Sequence, residues 1–407
     1  MYSESIIAER IAKIERASGI KLRRHDIALV DERVQALNAA WDAGNDRPRR
    51  RITRDEAEFI RNECLLAMCD FRYWVARYSY VKLDGGGLGH PRPWESQELI
   101  LSHIARVEER AWEQRAKGWP IEGIRILLHK ARQLGATALA RLLTVHRMIF
   151  TRHINAMAAS VDEDKVLELY DRDKVIYDHL PWWMRPQVRF EEKAAHIRFE
   201  GLNTLILYQQ ASQKSGLGQG RQFEIAHLTE CASWANPQVI ALDFLPTIPQ
   251  SIHTLTILES TAQGRGNWWH EYTEETRAGA HPEWAYVFIP WYAERTKYRL
   301  HPPDNWSPSQ ITRLHADKVR ATSHEWCQRV VELDREQLYW YETRRSSAQK
   351  ANELNLFLTN YCATPEESFQ HSTVASFSPE LLDRLRLGTS EPKLYFEPTY
   401  DQAVPAN

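Results

Sequence analysis

Hydrophobic positions near the start of the chain recur with a helical period. Ile7, Ile11 and Ile14 fall at i, i+4 and i+7, joined by Ile6, and a second apolar-periodic stretch runs from Ala57 to Tyr80. Residues 1–80 are therefore predicted to be helical. Between the two stretches, Asp46-Arg47-Pro48-Arg49-Arg50-Arg51 is a basic turn, read either as a solvated loop or as a phosphate-backbone contact. Asp84-Gly85-Gly86-Gly87-Leu88-Gly89 is a glycine run that predicts a flexible boundary before the next unit.

From about residue 90 to 290 the pattern alternates. Apolar runs at Ile124–Leu128, Ile154–Ser160, Phe223–Thr229, Leu255–Glu259 and Ala285–Ile289 predict strands. Helices are predicted from Thr137 to Phe150 and from Asp162 to His179, the latter closed by Pro181. Ala195–Phe199 and Thr204–Tyr208, separated by Glu200-Gly201-Leu202-Asn203, read as a hairpin. Strands alternating with helices imply a mainly parallel α/β sheet, with the hairpin as a decoration. After Pro290 the chain turns polar and helical. One helix is expected from Ser307 to Val319, with Ser307 as its cap, and another over Asp334–Gln349.

Composition narrows this picture. Of the 407 residues, 43% are hydrophobic and 26% charged, which excludes disorder as the main state. Lys+Arg 52 against Asp+Glu 54 leaves a net charge of −2, so any nucleic-acid contact must be a local patch. No apolar stretch is long enough to span a membrane, and the first ten residues lack a signal-peptide core. The five cysteines, Cys64, Cys69, Cys231, Cys327 and Cys362, show no metal spacing and read as buried thiols of a reducing compartment.

The segment Leu128-His129-Lys130-Ala131-Arg132-Gln133-Leu134-Gly135-Ala136-Thr137 offers candidate chemistry. A strand, a short polar loop and a helix start are what a phosphate cradle needs, because the first N–H groups of a helix are unsatisfied. The usual phosphate loop, GxxxxGK[ST], would put glycine at 130 and 135, lysine at 136 and a hydroxyl at 137. Here Gly135 and Thr137 are in register, but Ala136 stands at the lysine position and Lys130 at that of the first glycine. A lysine leaving from the opposite end of the loop can reach the same oxygens, Arg132 adds a second cation, and Thr137 keeps its hydroxyl for Mg²⁺. The same segment also fits an ordinary strand-to-helix connection with two exposed cations.

Two later strands add to it. Phe223 to Glu230 ends in Thr229 and Glu230, where a strand-end glutamate can orient an attacking water and a hydroxyl can hold magnesium through its water shell. Leu255 to Gly264 places Ser260 and Thr261 at the end of another strand, able to sense a γ-phosphate. Upstream, Pro93-Trp94-Glu95-Ser96-Gln97 precedes a helix, offering an aromatic face and an amide able to read adenine.

In this order the residues resemble the ATPase part of large terminase subunits, the motors that package DNA into tailed-phage capsids. Lys130 to Gly135 is similar to that family's variant Walker A, and His227-Leu228-Thr229-Glu230-Cys231-Ala232-Ser233-Trp234 to its Walker B segment. Glu259 to Trp269 resembles its coupling motif, and Pro93 to Gln97 its adenine-reading segment. Pro290-Trp291-Tyr292 and Thr364-Pro365-Glu366-Glu367-Ser368-Phe369 match further landmarks, so the likeness covers roughly residues 60–378. The departures are Ala136 and Thr229, the latter standing in place of an acidic Mg²⁺ partner.

The resemblance implies a P-loop NTPase fold of the ASCE/RecA-like kind, a mainly parallel sheet with flanking helices plus an N-terminal helical segment. The expected units are residues 1–85 (helical segment), 86–375 (ATPase motor) and 376–407 (tail). It implies ATP and Mg²⁺ as cofactors, with Trp94, Gln97, Lys130, Ala131, Arg132, Gln133, Leu134, Gly135, Ala136 and Thr137 around the nucleotide. Glu230, Arg132 and Lys130 would be catalytic, Thr137 and Thr229 (through water) would serve the metal, and Ser260 and Thr261 would couple hydrolysis to movement. Double-stranded DNA, a portal protein and a small terminase subunit are the implied partners, a ring on the capsid the implied assembly and the host cytoplasm the implied location. Only 38 residues follow Phe369, so the nuclease domain of the family is not expected in this chain. Two other readings stand beside this one, another P-loop translocase or helicase and a catalytically weak assembly scaffold.

Overall fold

The computed structural model describes residues 1–42, 47–83, 85–191, 195–211, 216–218 and 220–369, with the backbone of 394–396 and 403–405. Four helices open the chain: α1 (Glu4–Ser18), α2 (Ile27–Ala39), α3 (Arg54–Cys69) and α4 (Phe71–Tyr78). The predicted stretch from Ala57 to Tyr80 is thus two helices. Asp70 parts them, because its carboxylate accepts from the Tyr73 N–H at 3.0 Å and caps a new helix instead of continuing the old one. Asp46 and Asp84, in the basic turn and the glycine run, lie outside the described residues. Within the glycine run, Leu88–Gly89 pairs with Val81–Lys82 as a short antiparallel ladder.

After α5 (Glu95–Ala116) come the strands and helices of the main sheet: β1 (Ile124–Lys130), α6 (Ala136–Phe150), β2 (Asn155–Ser160), α7 (Glu163–Asp178), β3 (Val188–Glu191), β4 (His196–Phe199), β5 (Thr204–Gln210), β6 (Ile225–Thr229), β7 (Leu255–Ser260), α8 (Trp268–Arg277) and β8 (Ala285–Ile289). Their order across the sheet is β8-β1-β7-β6-β2-β5-β4-β3. Six neighbours run parallel from β8 to β5, and the hairpin adds an antiparallel edge. The outermost strand, β3, was not foreseen, since Arg189 and Glu191 interrupt its apolar pattern and it is half-buried. A mainly parallel sheet with flanking helices, preceded by an N-terminal helical segment, is the α/β architecture that the sequence implies.

Alternate residues of each strand feed two cores. Ile126 and Leu128 of β1 join Ala156, Ile257, the α6 side chains Leu139 and Leu143, and Val30, Leu66 and Trp74 of the N-terminal helices in one continuous cluster. Leu127 of β1 faces the other way, toward Met157, Leu228, Leu258, Trp269 and Phe369. Period-two alternation on a sheet covered on both sides yields this division. Lys130, Glu259, His227 and Thr229 lie on the α6 side by the same alternation.

The chain continues with α9 (Gln310–Cys327), α10 (Arg335–Lys350), α11 (Leu354–Asn360) and α12 (Pro365–Ser368). Ser309, not Ser307, caps α9, its hydroxyl accepting from the Thr312 N–H. Of the expected tail 376–407, the described part is Leu394–Phe396 paired antiparallel with Ala403–Pro405. Among the described residues, no helix is long and apolar enough to cross a membrane.

Candidate nucleotide site

The loop from Lys130 to Thr137 leaves the carboxyl end of β1, an interior strand between β8 and β7, and the carboxyl ends of such strands are where open α/β sheets bind ligands. Its ends are pinned. Ala131 N–H donates to the Ile289 carbonyl at 2.8 Å, Arg132 N–H to the Asn360 carbonyl at 2.9 Å, and Tyr298 OH donates to the Arg132 carbonyl. From Gln133 to Ala138, by contrast, no backbone N–H donates to any described residue. Six successive free donors at the start of a 15-residue helix form a concavity suited to an anion.

The loop's shape is held by the segment before α5. Ser96 Oγ donates to the Leu134 carbonyl at 3.1 Å and Gln97 Nε2 to the Gly135 carbonyl at 2.9 Å, while Gln97 Oε1 accepts from the Trp94 N–H. Gly135 has φ +71°, and a Cβ there would sit 2.6 Å from Gln97 Nε2. Only glycine suits both the left-handed backbone and the close approach. Gln133 also takes positive φ, at 55°. Gln97 therefore commits its amide to the loop, and the Trp94 ring lies under the Lys297 ammonium at 4.3 Å.

A cleft of about 830 Å³ opens above the loop. Lys130, Gln133, Gly135, Thr137, Trp94 and Gln97 line it, along with two cations that the sequence pattern did not single out, Arg172 of α7 and Lys297. Arg132 is exposed and is not among the lining residues. Ala131, Leu134 and Ala136 are buried and contribute backbone and packing. The free N–H groups, the cleft and the adjoining cations fit the phosphates of a nucleotide, with Thr137 the hydroxyl nearest the helix start.

Thr137 Oγ1 donates to Glu259 Oε1 at 2.6 Å, and Lys130 Nζ lies 3.8 Å from Glu259 Oε2. Glu259 is fully buried in β7, between β1 and β6. Its Oε1 also meets His227 Nε2 at 3.0 Å. Burial alone would raise this carboxyl's pKa, but Lys130, His227 and Thr137 outweigh it and bring it down to about 2. Beyond His227, Arg141 forms a bidentate pair with Asp173, which also accepts from Tyr208 OH. Strand order produces this chain of polar groups. The sequence offered one signal for it, a carboxylate and an imidazole inside otherwise apolar strands.

Thr229 ends β6 in a buried position opposite Glu259. Glu230, the next residue, has φ 57°, is exposed, and makes no side-chain hydrogen bond or ion pair with a described residue. Ser260 is buried and its Oγ accepts from the Ala232 N–H at 3.1 Å, linking the end of β7 to the segment after β6. Thr261 follows it, half-buried.

No family model and no curated protein sequence matches this chain. Solved structures do. The HK97 bacteriophage large terminase aligns with TM-score 0.49 at 10% identity, over 72% of this chain and 54% of that one. The large terminase ATPase domain of Thermus phage P74-26 aligns with TM-score 0.36 at 16% identity, over 45% of this chain and 84% of that one. The large terminase of a further, thermophilic bacteriophage, in complex with ADP, gives 0.33 at 11%, over 52% and 50%. This chain spans about half the length of the HK97 protein and of the ADP-bound one. The solved structures to which it is similar in all three cases are phage large terminases or their ATPase domain.

Proposed function

We propose that this chain is an ATP-hydrolysing DNA-packaging motor of the large-terminase kind. The observation that carries the proposal is the row of free N–H groups from Gln133 to Ala138, flanked by Lys130 and Thr137 at the mouth of the cleft. The backbone donors and Lys130 bind and neutralise the β/γ-phosphates, and Thr137, with Thr229 through water, would hold Mg²⁺. The chemistry that Mg²⁺ would supply at these residues is neutralisation of phosphate charge. Glu230 orients the attacking water, which its exposed position permits. Arg132 stabilises charge on the γ-phosphate, a role that can be worth ~10³–10⁵ in rate. Ser260, bonded to the segment that follows Glu230, and Thr261 pass the nucleotide state onward.

The proposed load is double-stranded DNA, gripped mostly through its phosphates because packaging must tolerate any sequence. A portal protein, a small terminase subunit, a ring of identical chains and the host cytoplasm complete the proposal.

A second reading, a catalytically weak scaffold, is favoured by one contact, the Thr137 hydroxyl engaged by Glu259. Purified chain assayed for Mg²⁺-dependent ATP turnover, with and without duplex DNA, decides between them. Turnover abolished by Lys130→Ala supports the motor; ADP binding without any turnover supports the scaffold.

A further inference from the structure

Glu259 sits where two hydrogen-bond donors and one cation converge. The proton positions follow from chemistry. Arg141 has only donors, so His227 Nδ1, 3.4 Å from its Nη1, accepts, and His227 Nε2 carries the hydrogen that points at Glu259. Thr137 donates to the same oxygen. Behind them, Arg141 is balanced by Asp173. Among the described residues, the charge that answers Glu259 is therefore Lys130, facing an Oε2 that accepts no hydrogen bond. A phosphate arriving at the loop's N–H groups would compete for that same ammonium.

We infer that Glu259 is a positioning residue acting through Lys130: it is an internal anion that holds the ammonium against β7 until a phosphate displaces it. The inference rests on the nucleotide reading given above. Its physical consequence is a trade. The carboxylate keeps Lys130 and Thr137 in one arrangement at the mouth of the cleft, and it lowers affinity for nucleotide, because each phosphate must first win the lysine.

The test is ADP binding by calorimetry in EDTA, so that metal does not enter, for the parent, Glu259→Gln, Lys130→Ala and the double variant. Glu259→Gln is expected to bind ADP about tenfold tighter or more, the scale on which an opposite charge at this distance acts. In the Lys130→Ala background the same substitution is expected to change the affinity by less than about twofold, as uncoupled sites do. A gain that persists in full without Lys130 overturns the inference, since Glu259 would then act as a general negative charge. So does a folded Glu259→Gln that binds no tighter than the parent. If Glu259→Gln does not fold, Glu259→Asp replaces it, keeping the buried charge while shortening its reach; an affinity no tighter than the parent's overturns the inference equally. A parent chain that binds no ADP even with Mg²⁺ overturns the nucleotide reading and the inference together. Parent binding without the gain overturns the inference alone.

Discussion

Two glutamates stand at the ends of neighbouring strands and live in opposite surroundings. Glu259, paired in register with Thr229, is fully buried and meets Thr137, His227 and Lys130. Glu230, one residue past Thr229, turns into the left-handed region at φ 57° and faces solvent. A carboxyl held near a pKa of about 2 by donors and a cation is a poor proton acceptor, because base strength falls with pKa. One left open to water keeps its freedom to orient a water molecule. The packed side can hold groups in place, and the open side leaves a carboxylate in contact with water.

The packed side should be the costlier to disturb. Asp173→Ala, which strands the fully buried Arg141, is expected to lower the unfolding free energy by about 3–5 kcal/mol, read from denaturant melts. A loss under about 1 kcal/mol would mean that the buried chain behind Glu259 is not a structural support. On the open side, Glu230→Gln is expected to slow ATP hydrolysis by ~10²-fold. It should leave nucleotide binding intact and stability within about 0.5 kcal/mol of the parent. Equal losses of binding and turnover would move Glu230 to the structural side.

A glycine pair sharpens the contrast further. Gly135→Ala meets Gln97 Nε2 at 2.6 Å and Gly118→Ala meets nothing within 4 Å, although their φ values, 71° and 68°, are alike. Both should lose about 1–2 kcal/mol to the left-handed backbone, with Gly135→Ala the more destabilised of the two in thermal melts and also impaired in ADP binding. The smallest effect concerns protons. His129 and His315 are held neutral by burial, their pKa values lowered to about 3. The unfolded chain takes up these protons near its ordinary pKa while the folded chain does not. Stability is therefore complete above about pH 6.5 and declines as pH falls from there toward 3. Between pH 7 and pH 6 the loss should be under about 1 kcal/mol per imidazole, measured as a fall in Tm that His315→Gln reduces.

Legibility from sequence followed the same divide between local and assembled features. The strands of the central sheet are apolar runs, and Glu200 to Asn203 marked the hairpin turn because Asn203 adopts the left-handed conformation such a turn needs. Ser309 rather than Ser307 caps α9 because the two offer the same hydroxyl and geometry decides, and Asp70 divides a stretch whose apolar periodicity runs on through it. The spacing of Lys130, Gly135 and Thr137 singled out the loop that leaves β1. Glu259 appeared at the head of a motif with no role of its own, because its partners come from β1, β6 and α6, and their meeting depends on β7 lying between β1 and β6. Arg172 and Lys297 were missed for a like reason, reaching the cleft from elements distant in sequence.

The short segment at Thr364–Phe369 carries a mechanical consequence. Ala363 belongs to one core and Phe369 to the other, so the chain laces the two faces of the sheet together within a few residues. Ser368 Oγ lies 2.9 Å from His129 Nε2, and His129 immediately precedes Lys130. Its hydroxyl donates to the Pro365 carbonyl, so the histidine is the donor across that gap, and His129 Nδ1 is left to accept from Tyr286 OH. A load on Phe369 therefore meets, through one hydrogen bond and a ring contact, the strand that runs into the Lys130–Thr137 loop.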